Sequence, residues 1–306
     1  MMSLINLIAA LIFAPLIPGI INRTKAIIAG RDGQPLLQCY YDIFKLLQKG
    51  ACISKTTTWV FAAGPAIALA SVLLVSAIIP FGKANALLSF SGDFILFAYL
   101  LGLGRFFTVL AALDTGSAFE GMGASREMQF STLAEVAFLL AIAGLSRLFN
   151  SLSLSEIFSS SNTELWLKAG PALVLIGASL FILLLAENSR IPVDDPATHL
   201  ELTMIHEVMV LDHGGPDLAL ITYGAALKLW IFSALLVGIM LSIFQIEPWL
   251  GTALQLAGMV IVAIIVGLVE SSMARLKLMR VPQLLVVAGA LSLVALVITF
   301  SFEVMP

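Results

Sequence analysis

LKAGPALVLIGASLFILLLAENSRIPVDDPATHLELTMIHEVMVLDHGGPD, residues 167–217, decides how this chain is read. Its first part, Leu167–Ala186, is an apolar run long enough to cross a bilayer core of about 30 Å. Its remainder holds seven acids (Glu187, Asp194, Asp195, Glu201, Glu207, Asp212, Asp217), one cation (Arg190) and all three histidines (His199, His206, His213). A second apolar run follows from Ala225. Connections between packed helices are usually about 2–8 residues long. A polar connection of this size points to a task, and proton or ion handling at the membrane edge is the chemistry its carboxylates suit.

The rest of the chain repeats the apolar half of that pattern. Of 306 residues, 60% are hydrophobic and 11% charged, where a soluble domain carries about 25% charged residues. Eight apolar runs of spanning length occur: Leu4–Ile21, Trp59–Ile79, Phe94–Leu113, Thr132–Leu148, Leu167–Ala186, Ala225–Phe244, Leu250–Val269 and Gln283–Phe300. The runs are continuous rather than alternating, so the expected fold is all-α, not a barrel. It is one polytopic bundle of eight transmembrane helices over 1–306, with connections at 22–58, 114–131, 187–224 and 270–282. Its N-terminus has no basic region before the first run, which reads as a retained span.

Lys and Arg set the orientation. The odd connections carry Arg23, Lys25, Arg31, Lys45, Lys49, Lys55, Arg126, Arg190, Arg275, Lys277 and Arg280, and the even ones only Lys83, Arg147 and Lys168. The odd connections are therefore expected in the cytoplasm, with both termini outside the cell membrane. A net charge of −3 gives no reason to expect nucleic acid as a partner. Cys39 and Cys52 form no CxxC pair and cannot hold an iron–sulfur cluster alone.

In chain order, Pro15, Pro18 and Gly19 predict a bend in the first span, with freed carbonyls that need protein partners. Leu37–Gln48 has apolar residues at helical spacing and reads as a surface helix, with Asp42 and Lys45 close enough to pair. Arg105 and Lys228 lie inside spans. A central Arg costs at least about 2.5–3.5 kcal/mol, so it needs an acidic partner. Glycines 116, 121 and 123 suggest tight turns before Arg126 and Glu127. Glu135 lies within the apolar LAEVAFLLA and reads as a buried, protonatable carboxyl, the plain alternative being an acid near headgroups. Asp195 can cap a helix with Pro196 at its first position. On a helix over Ala197–Leu211, Glu201 falls on the apolar face among Met204, Ile205 and Val208. The histidines recur every seven residues, about 10.5 Å along a helix. That is too far for one metal, and a polar face or proton relay fits better.

The run GRFFTVLAALDTGSAFEGMGASRE (104–127), LAEV (133–136), AENSRIPVDDPATHLELTMIHE (186–207) and ESSMARLKL (270–278) resemble the membrane subunit shared by complex I and group 4 NiFe hydrogenases. The forms LDTGSAF, GASRE and ARL resemble the hydrogenase branch, that of formate hydrogenlyase-type complexes. The resemblance implies an eight-span subunit between a hydrophilic redox module and antiporter-like membrane subunits. The hydrogenase-like large and small subunits of that module would carry the NiFe and iron–sulfur centres. This chain would bind no cofactor itself, with quinone or lipid at the interface left open. By the same resemblance, Arg31, Gly33, Pro35, Gln38, Asp42 and Lys45 match the family's first connection, and acids in the motifs begin a line of buried carboxylates. The expected proton pathway is Glu135, Glu187, Asp194, Glu201, Glu207 and His199. Arg31, Asp42, Lys45, Arg126, Glu127 and Arg190 are the expected docking and coupling residues. Complex I follows the Asp–Pro of its motif with Glu-Ala-Glu. Here Pro196-Ala197-Thr198-His199 stands instead, which favours a hydrogenase-type complex over a complex I quinone site.

The chain has no nucleophile–base pair and no nucleotide motif, so it is not expected to be catalytic alone. The reading is a membrane-anchoring, proton-conducting subunit that docks the redox module. The alternatives are the quinone-site subunit of a respiratory complex I and a stand-alone ion transporter. The transporter would need paired, inverted broken spans.

Overall fold

The computed structural model describes residues 2–160, 163–194, 204–244 and 246–301. Helices run in the order α1 (Met2–Phe13), α2 (Leu16–Ile28), α3 (Gln38–Leu47), α4 (Trp59–Ile78), α5 (Asp93–Asp114), α6 (Ala118–Phe149), α7 (Leu154–Ser159), α8 (Thr163–Glu187), α9 (Gly215–Leu241), α10 (Pro248–Ser272) and α11 (Val281–Phe300). No strand occurs among the described residues. Seven helices, α4, α5, α6 and α8 to α11, are each long and apolar enough to cross a membrane. α1 and α2 pass that test only as a pair, bent by 47°. Among the described residues that makes seven spans, or eight if the bent pair is one span, with the bend in the first span where the prolines predict it.

The break follows from Pro15, which lacks the N–H that would bond Leu11 O one turn earlier. Tyr223 of α9 donates its hydroxyl to Leu11 O at 2.8 Å. Tyr40 of α3 donates to Ile12 O. The carbonyls at the bend therefore find protein partners, as the prolines predict. α3 is the expected surface helix, but its Asp42 accepts from Gln38 Nε2 at 2.8 Å rather than pairing with Lys45. Gly19 lets the first connection lie against α2, since a Cβ there would stand 2.1 Å from Leu36 O.

α9 is the centre of the bundle, with 72% of its spanning window buried, against 28% for α5 and for α11. It packs on α4, α10, α3 and α8. α6 and α8 pack on each other and on α11, and α2 packs on α10. Exposed apolar side chains such as Tyr99 and Phe106 on α5 and Val286 and Val297 on α11 cover the outside of the bundle. Helix ends are tied across the bundle. Asp114, closing α5, accepts from the backbone N–H of Thr58 at 2.6 Å and of Phe61 at 3.3 Å, which caps α4.

Three local expectations change. The connection expected at 114–131 is mostly helix, because α6 starts at Ala118 and carries Gly121 and Gly123 inside it. Of the three glycines only Gly116 takes a positive φ, 71°. α9 starts at Gly215, well before Ala225, so Lys228 sits more than three turns inside it rather than one. The helix expected to run to Leu211 is replaced, over its described part, by a single 3-10 turn at Glu207–Val210. The cause is Asp194, whose Oδ2 accepts from the backbone N–H of Ile205 at 3.2 Å and of His206 at 3.1 Å. Those donors are then not available to an α-helical ladder. Asp195, His199 and Glu201 lie outside the described residues.

Tyr223→Phe leaves Leu11 O without its donor and should destabilise the purified protein by about 1 kcal/mol. In a Pro15→Ala background, which restores a backbone N–H for Leu11 O, the same substitution should cost less. Thermal melting of the four variants measures this, and equal costs in both backgrounds would reject the account.

Candidate functional site

Four helices each deliver one charged side chain to a single point. Arg105 comes from α5, nine residues before its end, about 13.5 Å along the axis. Glu127 comes from α6, Glu187 from the last residue of α8 and Lys228 from α9. Arg105 Nη2 donates to Glu187 Oε1 at 2.6 Å and Oε2 at 2.5 Å. Lys228 Nζ lies 2.7 Å from Glu187 Oε2. Arg105 Nε faces Glu127 Oε1 at 3.4 Å, an ion-pair distance rather than a hydrogen bond. All four side chains are at most 19% exposed. The set is neutral in sum, which is what makes its burial tolerable. Losing one partner of such a pair costs about 3–5 kcal/mol.

The cluster borders a cavity of about 110 Å³, also lined by His206, Ser71 and Thr108. A cavity needs only about 10–15 Å³ to hold a water, so this one has room for several. Two smaller cavities of about 20 Å³ adjoin the same carboxylate. One is lined by Glu135, Arg105 and Glu187. The other is lined by Glu127, Glu187 and Asp194. Glu187 thus borders all three spaces, and each can carry at least one water between carboxylates.

The neighbouring connections hold this point in place. Asp194, beyond accepting from Ile205 and His206, receives Arg275 Nη2 at 2.9 Å. Leu276 N donates to Pro192 O at 2.9 Å. Glu270, fully buried at the end of α10, lies 2.7 Å from Lys25 Nζ and 3.5 Å from Arg190 Nη1. Arg126 Nη1 donates to Met204 O at 2.9 Å. Gly123 allows the turn at Val208 to sit directly on α6, since a Cβ would stand 2.1 Å from Val208 Cγ1.

Sequence reasoning therefore named Glu135, Glu187 and Asp194, and these line cavities that have Glu187 in common. Glu207 opens the 3-10 turn and lines none of the three cavities described. Among the expected docking residues, Arg31, Asp42 and Lys45 are exposed. Glu127, Arg126 and Arg190 instead make the internal contacts above. His206 was read only through the seven-residue spacing of the histidines, as part of a polar face or proton relay, and the structure sets it on the large cavity. Lys25 and Arg275 were read only as cations of the odd connections, and Glu270 only as the end of a span.

His206 and His213 lie outside the spans. The His206 pKa is lowered chiefly by burial. Lys228 and Arg105 lower it further, while Glu127 and Asp194 oppose. A neutral imidazole offers one donor and one acceptor nitrogen, and His206 lines the large cavity. His213 stacks on Phe61 at 4.0 Å, and its Nδ1 has no hydrogen-bond partner among the described residues. Burial lowers its pKa from 6.5, with Asp217 and Asp212 opposing.

The family model described as NADH dehydrogenase matches residues 1–300. The chain belongs to that family. Formate hydrogenlyase subunit 4 of Escherichia coli K12 is 29% identical over 293 residues, covering 93% of this chain and 94% of that protein. Hydrogenase-4 component C of the same organism is 29% identical over 283 residues, covering 89% and 87%. An NADH-quinone oxidoreductase subunit of Rubrobacter xylanophilus is 26% identical over a shorter 201 residues, covering 65% and 60%. Within the family the chain matches the hydrogenase branch. A chain in the structure of the archaeal membrane-bound sulfane sulfur reductase, a respiratory membrane complex, shares the fold. Its TM-score is 0.80 at 22% identity, covering 96% of this chain and 98% of that one. The chain is a multi-pass membrane protein.

A histidine with a lowered native pKa adds stability above its unfolded value of 6.5, and that stability is lost as pH falls below it toward the native value. The melting temperature should therefore drop between pH 7.5 and pH 5.5. The drop should be smaller in His213→Phe, which keeps a ring against Phe61 but cannot titrate. An unchanged drop would remove His213 from the account.

Proposed function

We propose that this chain is the proton-conducting membrane subunit of a group 4 membrane-bound hydrogenase of the formate hydrogenlyase type. It anchors a hydrophilic redox module and couples electron transfer in that module to proton movement. The observation that carries the reading is one carboxylate, Glu187, held between Arg105 and Lys228 where three cavities meet. Protonation of Glu187 would loosen both cations together. Water in the flanking spaces would then join it to Glu135 within the membrane and to Asp194 at the base of the acidic connection. His199, Glu201 and Glu207 in that connection extend the path toward the module. The connection is tied to α6 and to the end of α10. A shift of the docked module would therefore be felt at Glu187 through Asp194, Arg190 and Met204.

The large cavity, about 110 Å³, has room for several waters. In this reading the redox centres lie outside this chain. NiFe and iron–sulfur groups belong to hydrogenase-like large and small subunits, and antiporter-like subunits flank it in the membrane. The exposed Arg31, Asp42 and Lys45 face the module. The Lys and Arg distribution supports cytoplasmic odd connections and termini on the outer side of the cell membrane.

Glu187→Gln retains hydrogen-bonding capacity toward Arg105 and Lys228 but cannot carry the proton. The complex should still assemble on native gels and still turn over hydrogen with an artificial electron carrier. Coupled proton uptake by inverted vesicles should fall to background, and Glu187→Asp should keep part of it. Wild-type uptake in Glu187→Gln would end this role for the residue.

A further inference from the structure

A second polar site lies toward the opposite face of the membrane, and the charge cluster does not include it. Asn6 of α1 is 6% exposed and Trp230 of α9 is 3% exposed. Asn6 Nδ2 donates to Phe81 O at 3.1 Å, which fixes the direction of its amide. Trp230 stacks on the Phe81 ring at 5.7 Å. Both side chains are thus packed on one residue. Asn6 Oδ1, an acceptor, and Trp230 Nε1–H, a donor, have no hydrogen-bond partner among the described residues. Burying either group unpaired costs about 1–3 kcal/mol. Both residues line one cavity of about 10 Å³, together with Ser76, Ser3 and Asn85. That volume is about one water, and a donor, an acceptor and the Ser76 hydroxyl supply the two to four partners such a water needs. Asn85 is exposed and Ser3 partly so, which brings the cavity close to the surface at the α1 start.

Both cavities are lined in part from α4 and the residue that follows it. Ala68 and Val72 line the large cavity, and Ser76 and Ile79 the small one. These positions recur at helical spacing on one face, and Val75, fully buried, lies on that face at the level between them. From Val72 to Ser76 the rise is about 6 Å.

We propose that Asn6 and Trp230 hold a water that forms the outer half of a proton path through this chain, with Val75 as an apolar gate between it and the Glu187–Lys228 cavity. The inference rests on the proton-conducting reading above. The water accepts a proton from water in the large cavity when Val75 shifts, and passes one on toward Ser3 and Asn85, so its own charge is restored. Asn6 and Trp230 do not titrate and only position it. An apolar constriction of this kind blocks conduction by staying dry.

The test uses the assembled complex in inverted vesicles. Asn6→Leu/Trp230→Phe replaces both polar partners of the water with groups of similar shape, and Phe81 O, losing the Asn6 donor, keeps the Ala84 N–H at 3.0 Å. Proton translocation should be lost while hydrogen turnover with an artificial carrier is retained. Val75→Ser should wet the gate and raise passive proton permeability without turnover. Glu187→Gln serves as the control. If it loses translocation while the double variant keeps it, the outer path is wrong and the proposed function stands. If both keep it, the proposed function falls and the path with it. Should the double variant fail to assemble, Val75→Ser decides: a proton leak supports the path, and wild-type permeability overturns it.

Discussion

A buried guanidinium must find an anion, and most of this bundle can be understood from how it does so. Arg105 sits deep in α5, where an unpaired cation would be costly. Glu187 answers it from the end of α8 and Glu127 from α6, while Lys228 from α9 shares Glu187 and brings the set to neutrality. Each of four helices must keep its register and depth for the set to remain neutral. The cluster therefore fixes the helices as much as the helices fix the cluster. Glu187 is the partner that two cations share, so both depend on the same carboxylate.

The acidic connection is held to that point by a few contacts. Asp194 spends its carboxylate on the backbone of Ile205 and His206 and on Arg275. Glu270 draws Lys25 and Arg190 onto the end of α10. Polar groups within the spans follow the same rule of satisfaction. The carbonyls at the Pro15 bend are met by Tyr40 and Tyr223 rather than by water. Among the described residues one span is broken, locked by tyrosines from α3 and α9.

Much of this was legible in residue order. Pro15 announced the bend, and the alternation of Leu37, Tyr40, Tyr41 and Phe44 announced α3. Arg105 announced that it needed an acid. Glu135 and Glu187 stood out because apolar surroundings make a carboxyl expensive. The extent of α6 was not legible. Gly116, Gly121 and Gly123 look alike in a row, and only packing on Val208 shows that Gly123 serves a close helix contact rather than a turn. The 3-10 turn at Glu207–Val210 was equally hidden, because a carboxylate eleven residues away takes the backbone donors that a helix would use.

The sequence by itself determined that the chain crosses a membrane many times, that it is helical, and that its cations gather in the odd connections. Those properties depend on hydropathy and on backbone hydrogen bonding within a segment, both local. It also determined the family, because the motif residues stand in fixed order. Only the tertiary structure decided which acid answers Arg105, that Lys228 shares it, and that Glu270, Lys25 and Arg275 brace the acidic connection. Those partners are separated by tens to hundreds of residues. Pairing at such distance depends on helix depth and rotation in the packed bundle, which no local spacing encodes.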